Sequence, residues 1–339
     1  MKIALDAMGG DHAPATLVEG AVLATQELGA EIILVGDKEI LQQTLSHYPS
    51  AAPSISIVHA PQRVEMDESP SLVIRKKRQS SIWIATELVK NKEAIAVISA
   101  GNTGASMATA LFILGPISGV ERPAIATPLP TLRGTSLLID VGANVDCKPQ
   151  QLFQFAVMGQ VYAEDVMGVS KPRVGLLSIG EEDAKGNELT KETFKMLKAS
   201  TLNFIGNVEG RDVYTGHADV IVCDGFIGNV VLKVSEGLAE AIIQFLKREI
   251  MVSPIAKLGA FLLKPAFRRF RRKIDYAEYG GAPLLGVDGI SIICHGRSSA
   301  KAIRNAIRLA MESFQHGLND HIKDRIATQI TPINGRKSS

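Results

Sequence analysis

Met1-Lys-Ile-Ala-Leu-Asp-Ala-Met-Gly-Gly-Asp-His-Ala-Pro14 opens the chain, and its reading decides the fold. A short apolar strand, Ile3 to Leu5, runs straight into Asp6 and then into Gly9-Gly10-Asp11. The two glycines accept positive φ and let a ligand come close to the backbone. Such turns, at the carboxyl ends of strands, are where open α/β sheets hold phosphate-bearing ligands. The pattern repeats: apolar runs at 3–5, 32–35, 56–58, 96–99, 124–128, 136–140, 173–177, 220–222 and 290–294 read as strands. Helical patterns lie at 15–28, 80–90, 104–114, 150–167, 189–200 and 300–311. Strand and helix taking turns predicts a three-layer α/β/α domain with a mainly parallel central sheet.

The 339 residues are 46% hydrophobic and 21% charged, the composition of a globular protein able to bury a large core. Lys and Arg number 37 against 35 Asp and Glu, so bulk charge does not suggest a nucleic-acid binder. Cys147, Cys223 and Cys294 stand far apart; they form neither a disulfide framework nor a zinc spacing and fit a reduced cytosol. Asp6 and Asp11 interrupt any signal-peptide core, and no uncharged apolar run approaches ~18 residues, so the chain reads as neither secreted nor membrane-spanning. We read residues 1–331 as one α/β domain, with a protruding amphipathic helical hairpin as a helical excursion at 234–278 and a frayed tail at 332–339.

Four strands end in Asp or Ser followed by glycine. Besides the first, one ends in Ser99-Ala-Gly-Asn-Thr-Gly-Ala105, one in Asp140-Val-Gly-Ala-Asn144 and one in Cys223-Asp-Gly-Phe-Ile-Gly-Asn229. Small residues with Asn at a strand-to-helix turn make an anion nest at the positive end of a helix. The candidate phosphate or substrate residues are therefore Asp6, Gly9, Gly10 and Asp11; Ser99, Gly101, Asn102, Thr103 and Gly104; and Asn144, Asp224 and Gly225. The Ser99–Ala105 segment alone is also readable as a plain glycine-rich turn capped by Asn102 or Thr103. In Ser178-Ile-Gly-Glu-Glu-Asp-Ala-Lys-Gly-Asn-Glu188, Lys185 is the only cation of an acidic loop, before a helix begun by Asn187 or Thr190. A lysine there serves as a point charge for phosphate, unless it is a solvated surface side chain. His295, between a strand and the helix at 300, is a candidate acid, base or phosphate donor, or an orienting loop residue. Ile74-Arg-Lys-Lys-Arg-Gln-Ser-Ser81 reads as a docking patch for an acidic partner or a solvated helix start. Cys147 and Cys223 lack a histidine partner in a nucleophile pattern and read as inert. No nucleophile elbow, Walker loop, metalloprotease motif or strict dinucleotide fingerprint occurs.

Within the excursion, Leu263, Phe267, Phe270 and Ile274 recur at helical spacing, with Arg268, Arg269, Arg271, Arg272 and Lys273 between them. A basic amphipathic helix preceded by an apolar loop bearing Leu258, Phe261 and Leu262 marks a segment that lies on anionic lipid. A core or dimer contact and the docking of an acidic carrier protein are the alternatives.

Leu5-Asp-Ala-Met-Gly-Gly-Asp-His-Ala-Pro14, Ser99-Ala-Gly-Asn-Thr-Gly-Ala105, Ile139-Asp-Val-Gly-Ala-Asn144, Ile179-Gly-Glu-Glu-Asp-Ala-Lys-Gly-Asn-Glu188, Asp224-Gly-Phe-Ile-Gly-Asn229 and Tyr279-Gly-Gly-Ala-Pro-Leu-Leu-Gly286, in that order, resemble the bacterial phosphate acyltransferases. The resemblance covers essentially the whole chain. It implies a fold like phosphotransacetylase and isocitrate dehydrogenase, and conversion of acyl carrier protein thioester and inorganic phosphate into acyl phosphate. It further implies a cytosolic homodimer, peripherally bound to membrane, whose product passes to the membrane glycerol-3-phosphate acyltransferase of phospholipid synthesis. Lys185 and Asn229 stand in matching context and carry over as the catalytic pair; no cofactor or metal is implied. A phosphotransacetylase-like enzyme using acyl-CoA and a membrane scaffold binding the carrier are the competing classes; a nicotinamide dehydrogenase is a fold analogy alone.

Overall fold

The computed structural model describes residues 1–274 and 278–330; the tail at 332–339 and the side chains of Arg271 and Arg272 lie outside what is described. The strands are β1 (Lys2–Asp6), β2 (Glu31–Gly36), β3 (Ile55–His59), β4 (Ala96–Ser99), β5 (Ala124–Thr131), β6 (Gly134–Ile139), β7 (Val174–Leu177), β8 (Phe204–Val208), β9 (Val220–Val222), β10 (Ala282–Leu285) and β11 (Ile290–Ile293). The helices are α1 (Ala15–Leu28), α2 (Lys38–Leu45), α3 (Pro70–Lys76), α4 (Ser81–Lys90), α5 (Thr103–Ile113), α6 (Pro149–Asp165), α7 (Glu188–Lys198), α8 (Gly225–Val252), α9 (Pro254–Leu262), α10 (Lys264–Ile274), α11 (Ala300–Gln315) and α12 (Leu318–Ile330).

All the strands join one 11-stranded sheet in the order β3-β2-β1-β4-β11-β10-β5-β6-β9-β7-β8. β3, β2, β1, β4 and β11 are mutually parallel. β10 is antiparallel to β11 and to β5, and β5 is antiparallel to β6. β6, β9, β7 and β8 are again parallel to one another. Three reversals separate the two parallel halves, so they run in opposite directions. The carboxyl ends of β1, β4 and β11 therefore face one edge of the sheet, and those of β6, β9 and β7 the other.

Both faces of the sheet are covered. Ile3 and Leu5 face a core with Leu17 of α1, Phe155 of α6, Phe194 of α7, Ile303 of α11 and Ile322 of α12. Ala4 and Val97 face a second core with Ile82 and Leu88 of α4 and Ala110 of α5. Burial on both sides is why these strands read as continuous apolar runs rather than alternating ones. Side-chain caps set helix starts: Asp37, Asn102, Asn187 and Asp224 each accept backbone N–H groups of the following turn.

The sequence pattern did not disclose β8, β10, α2, α3 or α12. β8 is interrupted by Gly206, at φ 101°, and is only half-buried over its first residues. β10 contains Pro283, which removes a ladder donor. α12 is mostly polar and shows its register only through buried Leu318, Ile322 and Ile326. Two readings are corrected. Gly225 to Asn229 is the start of α8, not a glycine turn, and Val231 and Leu232 of α8 still pack against the second core before the helix leaves the body. The apolar loop bearing Leu258, Phe261 and Leu262 is itself helical, as α9, capped by the Ser253 hydroxyl on the Ala256 amide. Of α8 only Gly225 and Gly228 are buried, so most of it stands off the sheet. Among the described residues no helix is long and apolar enough to cross a membrane.

Candidate functional site

The strand ends gathered into one set by the sequence form two clusters at opposite sheet edges. At the first edge, Asp6 is buried beside Ser99, whose hydroxyl donates to Asp6 Oδ2 at 2.7 Å. The Gly101 amide donates to Ser99 Oγ at 3.1 Å and the Met8 amide to Asp6 Oδ1 at 3.3 Å. Burial pushes the Asp6 carboxyl up, against the hydrogen bonds it accepts from Ser81, Ser99, Met8 and Gly9. Gly9 has no room for a side chain: a Cβ there would lie 2.6 Å from Asp6 Oδ2 and 2.8 Å from the Gly101 nitrogen. Asn102 caps α5 by accepting from the Ala105 amide at 2.9 Å and donates to the Met66 and Glu68 carbonyls. Thr103 and Gly104 are the first residues of α5, with Gly104 against Pro70. Gly10 takes φ 106°, and the Asp11 amide donates to the Gly296 carbonyl at 2.9 Å. His295 belongs here too, its Nδ1 accepting from the Arg297 amide at 3.1 Å.

At the second edge the hub is Asp140, fully buried just past β6. Its Oδ1 accepts from the amides of Ile125 at 3.0 Å, Gly142 at 3.3 Å and Ala143 at 3.1 Å. Its Oδ2 accepts from the Asn144 amide at 2.7 Å and from Asn144 Nδ2 at 2.9 Å. Asn144 Nδ2 also donates to the Pro123 carbonyl at 2.7 Å. Burial pushes the Asp140 carboxyl up, while these donors favour its charged form. In both clusters the nest thus encloses one of the protein's own carboxyl groups, and the Asn144 donors are already engaged.

α8 docks directly on this hub. The Gly225 amide donates to the Asn144 carbonyl at 2.7 Å, and Asp224 Oδ1 accepts from the Ile227 amide at 2.9 Å. A Cβ on Gly228 would lie 1.8 Å from the Asp140 carbonyl oxygen, so only glycine permits this approach. The next residue, Asn229, lies against Gly142, whose added Cβ would lie 3.7 to 3.9 Å from the Asn229 side-chain atoms. Asn229 is exposed, and its side-chain amide has no hydrogen-bond partner among the described residues.

β7 ends at the same edge and leads to Lys185. Two acids of its loop are paired elsewhere, Glu181 with Arg211 at 2.9 Å and Asp183 with Lys198 at 2.7 Å. Asn207 Nδ2 ties the Glu182 carbonyl to β8 at 2.9 Å. The Lys185 stem lies against Gly180, and its exposed ammonium makes no ion pair among the described residues. The structure therefore brings Lys185, Asn229, Asn144, Asp224 and Gly225 to one edge and sets the Asp6, Ser99 and His295 group apart at the other. An open pocket of about 480 Å³ lined by Arg133, Glu181, Asn207 and His217 adjoins the Lys185 loop; neither Lys185 nor Asn229 lines it. The hub role of Asp140 escapes the sequence reading because an Asp before Gly reads as turn chemistry.

No thiol is poised for attack. Burial pushes Cys147 up to about 11, with Asp140 adding to the effect. Burial likewise raises Cys294 to about 12 and Cys223 well above its ordinary value.

At the tip, Leu258 is 62%, Phe261 69% and Leu262 70% exposed; Phe267 is half-buried and Arg268 exposed. Along α8, Phe226, Val230, Val234, Leu238 and Ile242 form an exposed apolar row at four-residue spacing that starts beside Asn229.

Residues 1–321 match the family model described as "Fatty acid synthesis protein". The chain is 55% identical over 327 residues to "Phosphate acyltransferase" of Trichlorobacter lovleyi, covering 96% of this chain and 95% of that protein. It is 54% identical over 334 residues to "Phosphate acyltransferase" of Heliobacterium modesticaldum, covering 98% of this chain and 100% of the relative. Among solved structures, a phosphotransacetylase from Streptococcus pyogenes superposes with a TM-score of 0.64 at 17% identity, covering 92% of this chain and 94% of that one. A branched-chain phosphotransacylase from Enterococcus faecalis gives 0.54 at 16% identity, covering 93% and 99%. At such identities the structural likeness speaks for the fold.

Proposed function

The chain belongs to the fatty acid synthesis protein family and is an acyltransferase, and from that premise we propose that it moves a fatty acyl group from an acyl carrier protein thioester to inorganic phosphate. The observation that carries the reading is the pair of unengaged donors, Lys185 and Asn229, at one sheet edge of a chain whose thiols are all held protonated. Phosphate is an anionic nucleophile at neutral pH and a thioester is a reactive acyl donor, so no protein nucleophile is required. A phosphate oxygen attacks the thioester carbonyl carbon, the C–S bond breaks, and the carrier leaves as a thiolate that takes up a proton. Lys185 holds the phosphate, and Asn229 donates to the oxyanion that develops on the carbonyl. Asp140 positions Asn229 through Gly142 and Gly228.

Acyl phosphate is then the acyl donor for glycerol 3-phosphate at the membrane, through a separate membrane acyltransferase. The apolar row of α8 is the face of a homodimer in this reading. α9 and α10, which carry no acidic residue from Pro254 to Ile274, form the peripheral contact of a cytoplasmic protein with anionic lipid.

The deciding experiment is mass-spectrometric detection of palmitoyl phosphate from the palmitoyl carrier protein and inorganic phosphate, with palmitoyl-CoA in parallel. Product from the carrier-linked donor, lost in Lys185→Ala, supports the reading. Product from CoA alone indicates phosphotransacetylase-like chemistry, and no product from either donor indicates a carrier-binding scaffold.

A further inference from the structure

β5 runs against β6, so its start lies at the second edge, where β6, β9 and β7 end. The residues around this start are built into the site: the Pro123 carbonyl accepts from Asn144 Nδ2 at 2.7 Å, and the Ile125 amide donates to Asp140 Oδ1 at 3.0 Å. Arg122 immediately precedes them. Its backbone position is thereby fixed, while its side chain is exposed and makes no hydrogen bond or ion pair among the described residues. The neighbouring acid is directed away: Glu121 accepts from Gln151 Nε2 on α6 at 3.2 Å, and its amide donates to Gln154 at 2.8 Å. The positive charge of Arg122 is felt at the Cys147 thiol, three residues past Asn144.

An anionic nucleophile at this edge needs more than one cation, because Asp140 and Asp224 lie beneath it and the first-turn amides of α8 are partly used in capping. Lys185 stands on the β7 side, in the loop that follows β7. β5 and β7 are separated by β6 and β9, three strand spacings or about 14 Å. An unpaired cation with a long side chain thus stands on either flank of Asn144 and Asn229.

We propose that Arg122 is a second phosphate-binding residue of this site, gripping inorganic phosphate with its planar guanidinium from the flank opposite Lys185. The proposal rests on the acyl-phosphate reading above and adds the second half of its nucleophile clamp. Arginine suits the role because its fork engages two phosphate oxygens at once, whereas lysine offers a point charge.

The test measures phosphate KM at saturating donor, donor KM at saturating phosphate, and the rise in melting temperature on adding inorganic phosphate alone. Arg122→Ala should raise the phosphate KM about ten- to hundredfold, the range for losing a charge-assisted bond. It should leave the donor KM near wild type and abolish most of the phosphate-induced melting shift. Arg122→Lys should fall between the two, and Arg122→Gln guards against an alanine-specific folding defect. An unchanged phosphate KM, or an increase confined to the carrier-linked donor, overturns the proposal. A wild-type protein that makes no acyl phosphate yet shows a melting shift lost in Arg122→Ala sinks the acyl-transfer reading alone. One that neither uses phosphate nor is stabilised by it sinks both.

Discussion

Gly228→Ala is the substitution whose effect can be worked most directly from the structure. The added methyl carbon would lie 1.8 Å from the Asp140 carbonyl oxygen, and real contacts essentially never fall below 3.0 Å. The first turn of α8 must therefore move by more than 1 Å relative to the Asp140 loop, or that loop must move instead. Neither shifts freely, since the Gly225 amide is bonded to the Asn144 carbonyl at 2.7 Å and Asp140 holds five donors. Overpacking of this kind costs about 1–3 kcal/mol of stability. Asn229 follows Gly228 directly, and a misplacement of about 1 Å lowers catalytic rate about 10²-fold. Steady-state acyl phosphate formation and a thermal melt, run on the same preparations, separate the two effects. Gly237→Ala is the control, because a Cβ there meets nothing within 4 Å and alanine is the better helix former by roughly 0.5–1 kcal/mol. Gly228→Ala with wild-type kcat and an unshifted melt would refute the link from Asp140 through α8 to Asn229. A melt shift with intact kcat would leave Gly228 a packing residue only.

Asn229→Ala should lower kcat by about 10²–10³ with a near-native melt, and Lys185→Ala should act mainly on phosphate use; activity that merely tracks unfolding, or an unchanged phosphate KM and kcat, contradicts these roles. Leu258→Glu or Phe261→Glu forfeits about 1.5–3 kcal/mol of apolar burial, so vesicle co-sedimentation should weaken about ten- to hundredfold while activity on soluble donor persists. Binding untouched by both changes would assign α9 to a protein contact. Cys147, pushed up from 9.0 to about 11, holds about a hundredth of the thiolate of an ordinary cysteine at pH 8. Iodoacetamide should modify it appreciably only as pH nears 11, and Cys147→Ser should retain activity; rapid labelling at pH 8 would show that the thiol is activated.

The local chemistry was legible in the chain. Apolar runs that end in Asp-x-Gly or Ser-x-Gly reveal buried parallel strands and their turns, because a strand covered on both faces must be apolar throughout and a tight turn at its end needs glycine. The basic amphipathic stretch from Lys264 to Ile274 announces itself in the same way. Caps such as Asn102 and Asn187 are readable because their side chains act within three residues. Lys185 and Asn229 entered as candidates through the family resemblance of their motifs, which says nothing of what surrounds them.

Tertiary structure decided what depends on strand direction and on partners distant in sequence. Similar strand ends were divided between two sheet edges because three antiparallel pairings invert the second half, and no local pattern encodes that inversion. It decided that the nests enclose Asp6 and Asp140, since a backbone amide satisfies whichever acceptor the fold brings nearest. It sent Arg211 and Lys198 to Glu181 and Asp183 of the Lys185 loop. It tied Pro123, the residue after the unremarkable Arg122, to Asn144. Periodicity and turn chemistry act over a few residues and so are written in the sequence; the company each side chain keeps is fixed only when elements far apart in the chain pack together.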